Sequence, residues 1–377
     1  MIYLNNAATA FPKPPAVVEA VRAALSEAPA HPGRGGGGED GLLACRRLVA
    51  ELFDVDGPER VALLPSATHA LNLAISGLAG AGDHVVTTCL EHNSVLRPLA
   101  HGAAEGRLEV THVPADAEGH VRPRDVERAM CPRTRLVVVT HACNATGTVQ
   151  EVEEIAGVAA GRGAALLIDA SQSAGVVPLS HRSLPGRVFV AFAGHKTLLG
   201  PPGVGGLVLA DDRLPQMIVG GTGVRSEEVL HPADLPLRHE AGTPDTPAIA
   251  GLAAGVRLVL ERGVEAEGAR RGRLVRRLVE RLASIPGVSL SPVAGGDDRV
   301  GIVAFTLVGW TPGDLGDALL RSFDIEVRTG LHCAPLVHEA LGTAPLGTVR
   351  ASVGWANTAS DVDALAQALS ALAGTGA

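Results

Sequence analysis

The feature that most limits what this chain can fold into is a series of short, almost wholly apolar runs separated by helix-length segments. The runs are RVALL from Arg60, HVVTTC from His84, RLVVVT from Arg135, ALLIDA from Ala165, VFVAFA from Val188 and GGLVLA from Gly205. They are too apolar to turn alternate side chains to water, so they read as strands covered on both faces. Between the first four lie segments such as HALNLAISGLAG and EVEEIAGVAAGRG, which have the length and apolar spacing of helices. This alternation predicts an α/β fold whose mostly parallel sheet is covered by helices.

Beyond about residue 250 the pattern changes. AIAGLAAGVRLVLERGVEAEGARRGRLVRRLVERLASI reads as one long helical stretch with Leu and Val on one side, and its charge run is expected to form a solvated face. VGIVAFTLVG follows, then a helix near PGDLGDALLRSF and a last helix from about Ser360, introduced by TASD in the form of a capping box. These elements predict a smaller α+β lobe. The expected division is a large domain over residues 14–247 and a small domain made of residues 1–13 and 248–377. No internal repeat is present. A length of 377 residues is long for one core and agrees with two.

Composition narrows the function. At 46% hydrophobic and 19% charged residues, the chain is a packed globular protein and not a disordered one. Only 2% of residues are aromatic, so Leu, Val, Ile and Ala must build the core. The net charge of -8 comes without a basic block, which argues against nucleic-acid and anionic-membrane partners. The opening MIYLNNAATAFPKP has no basic-then-apolar signal, and no apolar run is long enough for a bilayer. Cys45, Cys89, Cys131, Cys143 and Cys333 are scattered, odd in number and without a CxxC pair, so neither a disulfide framework nor a metal site is expected. A cytoplasmic protein is the expectation.

In parallel α/β sheets, ligands sit beyond the carboxyl ends of the strands. Five consecutive runs here end in polar residues: PSATH, LEHNS, HACNATGT, DASQS and GHKT. Asp169 closes LLIDA, and a carboxylate delivered there needs a cation or hydrogen bonds. A protonated pyridine nitrogen supplies both. Lys196, one of few lysines in the chain, stands at the next strand end and can hold an aldehyde as a Schiff base. This pair is what pyridoxal 5'-phosphate requires. The PSATH turn opens a helix and offers backbone N–H groups and the Thr68 hydroxyl to a phosphate. Taken singly, such an Asp is usually a cap or turn residue and such a Lys a solvated cation. With His92 and Asn144 at neighbouring strand ends, they point to a site. Nucleotide motifs fit worse: GHKT lacks the upstream glycine of a P-loop, no GxGxxG follows the first strand, and the Gly35–Gly38 run lacks a following Lys-Ser/Thr and reads as a flexible loop.

The ordered blocks YLNNAAT, EHNSVLRPL, ACNATGT, IDASQS, GHKTLLGPPGVGGL, EAGTPDT, VRTGLHCAP and TVRASVGWANT extend through nearly the whole chain. With them the sequence resembles the class V aminotransferase family, in its cysteine desulfurase and selenocysteine lyase branch with the short RTGxHCA loop. The resemblance implies the fold type I architecture of pyridoxal-phosphate enzymes and a homodimer. It implies that Lys196 carries the cofactor and later moves protons, that Asp169 pairs the pyridine nitrogen, and that His92 stacks on the ring. Asn144 and Gln172 would bond near the phenolic oxygen. Thr68 and His195 would hold the phosphate beside Ala67, and Thr243 would reach in from the partner subunit. Arg350 corresponds to the arginine that grips the substrate α-carboxylate, with Arg328 as a second anion contact.

Cys333 corresponds to the family's nucleophile. It would take sulfur from cysteine as a persulfide, releasing alanine, for transfer to an acceptor protein. Its thiolate requires a lowered pKa or a nearby base such as His332. Three positions depart from the pattern: Ala193 replaces a Ser or Thr, a histidine is absent near Gly37, and His69 stands where an acidic residue is common. They leave the amino-acid substrate open. A C–S lyase acting on a cysteine conjugate, or a selenocysteine lyase, would need Lys196 and Arg350 but not Cys333. A non-enzymatic scaffold has no chemical need for Lys196, Asp169, Arg350 and Cys333 together.

Overall fold

The protein is described by a computed structural model in which residues 1–27, 41–291 and 299–374 are placed. The strands are β1 (Ile2–Tyr3), β2 (Val61–Leu64), β3 (Asp83–Thr88), β4 (Leu108–Val113), β5 (Thr134–Thr140), β6 (Ala165–Asp169), β7 (Arg187–Ala193), β8 (Gly205–Val208), β9 (Val288–Ser291), β10 (Ile302–Leu307), β11 (Ile325–Glu326), β12 (Arg328–Gly330) and β13 (Thr348–Ser352). The helices are α1 (Pro15–Ser26), α2 (Gly41–Leu52), α3 (Ala67–Leu78), α4 (Asn93–Ala104), α5 (Pro123–Ala129), α6 (Val152–Gly161), α7 (Thr246–Arg262), α8 (Val264–Ala283), α9 (Pro312–Phe323), α10 (Pro335–Ala340) and α11 (Ala359–Leu372).

A seven-stranded sheet runs β2-β8-β7-β6-β5-β3-β4. Strands β4, β3, β5, β6 and β7 are parallel, and β8 is antiparallel to both β7 and β2. Neighbouring residues of one strand feed different cores. Val137 and Val139 enter one apolar cluster with Val49 of α2, Ile155 of α6 and Leu252 of α7; Leu136 and Val138 enter another with Leu71 of α3 and Leu99 of α4. Such double burial requires the continuous apolar runs seen in the sequence. Edge strand β4, LEVTHV, was not anticipated, because only its two ends are buried and its middle is half-polar.

The second sheet, β12-β13-β10-β9, is antiparallel. Its Val303, Phe305, Val349 and Ala351 pack against Leu274 and Leu278 of α8, Leu319 of α9 and Leu365 of α11. Strand β1 joins this side of the molecule by pairing in parallel with β11. Thr358 and Asp361 form the expected capping box of α11.

Two expectations for the stretch after residue 250 are corrected. The single long helix is two, broken at Gly263, whose φ of 79° lies in the left-handed region that glycine adopts without strain. Nor is the charged side of α8 wholly solvated. Glu267 and Arg271 are both buried and bonded to each other at 2.8 Å, and Arg270 bonds Glu267 and the Gly354 carbonyl. The burial follows from close packing: a Cβ on Gly268 would lie 2.4 Å from the Val176 carbonyl, so only glycine lets α8 come this near the loop after β6. Among the described residues, no helix is long and apolar enough to cross a membrane.

Candidate active site

A cavity of about 300 Å³ opens at the carboxyl ends of the parallel strands, between the two sheets, and is bordered by the N-terminal segment. Every site residue proposed from sequence lines it except Thr243: Ala67, Thr68, His92, Asn144, Asp169, Gln172, His195, Lys196, Arg328, Cys333 and Arg350. They come from stretches spread over most of the chain and meet only because the strand ends converge.

One wall is the start of α3. Ser66 caps this 12-residue helix by accepting from the His69 amide at 3.2 Å, and Ser66, Ala67 and Thr68 at its N-terminus line the cavity. Thr68 Oγ1 lies 2.8 Å from Ser94 Oγ, which is 3.0 Å from His92 Nδ1. The Ser94 amide donates to that same Nδ1 at 3.0 Å, so the proton of the neutral imidazole sits on Nε2. Burial, and then the Lys196 charge, hold the His92 pKa below its ordinary value. His195 is pushed down to about 4 by burial, by Lys196 and by Lys13, so it too is neutral.

Asp169 ends β6 in register with Thr140 of β5 and Ala191 of β7. It is buried, and one carboxylate oxygen accepts from the Ser171 amide at 2.9 Å. Lys196 lies in the turn after β7; burial and the Arg350 charge lower its pKa, and Asp169 opposes them. Arg350 on β13 is 3% exposed, and its Nη1 donates to the Asn144 carbonyl at 2.7 Å. Burial first, then Arg328 across the strand pair, lower it to about 10, which leaves it a cation.

Cys333 is exposed at the cavity rim, in a loop where His332 and Cys333 both take left-handed backbone, φ 51° and 58°. Such geometry costs about 1–2 kcal/mol per residue. Two bonds hold it: Asn144 Nδ2 to the His332 carbonyl at 2.6 Å, and the Asn93 amide to the Cys333 carbonyl at 2.7 Å. His332, the base suggested from sequence, is buried, and its Nδ1 has no hydrogen-bond partner. Its Nε2 is bonded to Thr348 Oγ1 at 3.1 Å, and burial pushes its pKa down to about 2.

Gln172 donates to the Ala7 carbonyl at 3.0 Å, and Ala193 lines the cavity where a hydroxyl residue was looked for. Thr243 and His69 line a second cavity of about 480 Å³. The glycine run around Gly37 lies outside the described residues. Sequence reasoning passed over Ser94, which joins Thr68 to His92; its signal was its place two residues after His92 in LEHNS.

The residues fit pyridoxal phosphate. Four buried polar atoms of the cavity wall lack partners, Asn144 Oδ1, His195 Nδ1, His332 Nδ1 and Arg350 Nε. A helix N-terminus for a phosphate, a buried carboxylate for a ring nitrogen and a depressed lysine for an aldehyde stand around the same space.

A family model for "Aminotransferase class-V" matches residues 2–365. The chain belongs to the class-V aminotransferase family. It is 34% identical to a "Probable cysteine desulfurase" of Methanothermobacter thermautotrophicus, over 100% of this chain and 95% of that one. An apo structure of a cysteine desulfurase from Thermococcus onnurineus NA1 superposes with a TM-score of 0.89 at 31% identity, covering 99% and 95% of the two chains. The S-sulfonic acid form of an Escherichia coli cysteine desulfurase gives the same TM-score, 0.89, at 26% identity over 100% and 95%. Class-V membership agrees with the fold, a mostly parallel sheet between helices with an antiparallel lobe.

Proposed function

We propose that this chain is a pyridoxal-phosphate-dependent cysteine desulfurase that converts L-cysteine to L-alanine and takes the sulfur as a persulfide on Cys333. The observation that carries the reading is the meeting of Lys196, Asp169, Arg350 and Cys333 around one cavity. When bound, pyridoxal phosphate supplies an electron sink for negative charge at the substrate Cα. Asp169 would pair the ring nitrogen, the α3 N-terminus with Thr68 and His195 would hold the phosphate, and His92 would stack on the ring. Arg350, the buried cation, takes the substrate carboxylate by a charge-assisted pair of bonds, with Arg328 nearer the mouth.

Lys196, whose burial favours the free amine, removes the Cα proton and returns it. The Cys333 thiolate attacks the substrate sulfur: an S–S bond forms, the Cβ–S bond breaks, and its electron pair is protonated to give the methyl group of alanine. An exposed Cys333 suits hand-over to an acceptor protein. A homodimer is supported by two observations: Thr243 lies on a different cavity from Lys196 within one chain, and Met217, Ile218, Val219, Val229 and Leu230 are exposed in the segment before it. Five free cysteines agree with a reducing cytoplasm.

Cys333→Ala decides the matter. The variant, loaded with pyridoxal phosphate, is expected to keep the visible absorbance of the wild type while alanine and sulfide production from cysteine stop. Sulfide release at the wild-type rate would remove Cys333 from the reaction and shift the reading to a lyase.

A further inference from the structure

We propose that Lys13 is a positioning residue for Lys196: with Thr9 and Ala10 it clamps the carbonyl of the His195–Lys196 peptide and so fixes the turn that presents the lysine. This inference rests on Lys196 being the cofactor lysine. The sequence has two lysines, at 13 and 196, among 32 basic residues, and arginine fills every other basic position. Both lysines stand at the same turn. Lys13 Nζ donates to the His195 carbonyl at 2.9 Å, Thr9 Oγ1 to that oxygen at 3.1 Å and the Ala10 amide at 3.0 Å. Three donors from one short segment converge on one acceptor. Because the peptide unit is planar, holding its oxygen also orients the Lys196 nitrogen and Cα. The far side of the turn is fastened separately, by Gly194 to Val204 and Gly200 to Gly194 backbone bonds of 3.0 and 2.8 Å.

Apart from disfavouring a proton on His195, the cation at 13 acts through this one bond among the described residues. It is partly buried, and burial alone lowers it to about 8, with no carboxylate opposing among the described residues. Withdrawing an ammonium from water without a counter-ion is unfavourable, so its place must be set by what it donates to. A planar guanidinium is a poor substitute for a compact donor aimed at one carbonyl. The segment also has an anchor in the second sheet: Asn5 bridges to Ser352, and Asn6 Nδ2 donates to the Ser352 carbonyl at 3.0 Å, two residues beyond Arg350 on β13. One strap thus ties the strand of Arg350 to the turn of Lys196.

The test uses full-length wild type, Lys13→Met and Thr9→Val, each as loaded enzyme and as cofactor-free protein. In the cofactor-free state, acetylation of Lys196 by an N-hydroxysuccinimide ester is followed by peptide mass spectrometry, which two lysines make unambiguous. Loss of the charge-assisted bond in Lys13→Met is expected to lower kcat about tenfold, with KM for cysteine changed less than about twofold, and to speed Lys196 acetylation about tenfold. Thr9→Val, which removes a neutral donor, should move both readouts the same way by about two- to threefold. Wild-type kcat and wild-type Lys196 reactivity in Lys13→Met would overturn the proposal, as would a large Lys13→Met effect beside an inert Thr9→Val. Equal changes in kcat and KM, together with a melting temperature lowered by more than about 5 °C, would mark a structural role and overturn it too. A wild type that gains no visible band with pyridoxal phosphate overturns the cofactor reading itself, a result distinct from all of these.

Discussion

Replacing Gly205 by Ala tests the phosphate cradle without altering any of its donors. Gly205 and Gly206 are adjacent on β8 and face opposite sides of the sheet. A Cβ on Gly205 would lie 2.6 Å from the Phe192 carbonyl oxygen, 2.8 Å from the Ala67 nitrogen and 2.9 Å from the Ser66 carbonyl carbon. A Cβ on Gly206 would instead meet Phe192 Cζ at 2.4 Å and the Ala62 carbonyl oxygen at 2.5 Å. Real Cβ atoms do not approach backbone this closely, so in Gly205→Ala the start of α3 must retreat by about half an ångström, the tolerance within which a binding constellation keeps its function. Overpacking of this kind costs about 1–3 kcal/mol. Set wholly against binding, that is about 5- to 150-fold in cofactor affinity. Titrating cofactor-free protein with pyridoxal phosphate, alongside thermal melting, separates the two effects. Both variants should melt earlier, and only Gly205→Ala should lose affinity by fivefold or more. Wild-type affinity in Gly205→Ala, or an equal loss in Gly206→Ala, would refute the placement of the phosphate at this helix.

Arg350→Ala should raise KM for cysteine about 10- to 150-fold by removing a charge-assisted contact, whereas exposed Arg328→Ala should change it less than about tenfold. Steady-state kinetics with alanine as the measured product distinguish them, and reversed magnitudes would exchange the two roles. Glu91 is fully buried, with one oxygen accepting from Thr88 Oγ1 and the Thr140 amide and the other unpartnered; burial pushes its pKa up to about 8. A carboxyl raised in the folded state gives stability that is complete below its unfolded value, near 4.5, and fades as pH rises towards 8. Glu91→Gln should therefore gain in melting temperature over the wild type between pH 5 and 8, and parallel melting curves would sink the assignment.

The large sheet was legible because double burial forces continuous apolar runs, and the polar residues ending those runs marked the cavity. What the sequence concealed depends on packing across the molecule. The periodicity of α7 continues into α8, since a glycine can sit inside a helical pattern or end it, and only tertiary contacts choose. Glu267 and Arg271 look like surface charges until Gly268 brings their helix against the Val176 loop. Strand β4 looks half-polar because it lies at the sheet edge. Lys13 carries no local signal at all: its partner, the carbonyl of His195, is far away in sequence and is a backbone atom common to every residue. The bond of His332 Nε2 to Thr348 was concealed too, because adjacency in the chain says nothing about where a ring points.

The parallel pairing of Ile2 with Ile325 has a consequence for biosynthesis. A chain made from its N-terminus presents β1 long before β11 exists, and closing so large a loop is slow and entropically costly. By then the start of α3, Asp169 and Lys196 have all emerged, while Cys333 and Arg350 have not. A nascent chain at that stage has most of the groups that would hold the cofactor, and none of those that would hold or attack an amino acid. It also lacks the anchored strap behind Lys196. On the proposed reading, the groups for the amino acid are thus the last to arrive, with residues 325–352.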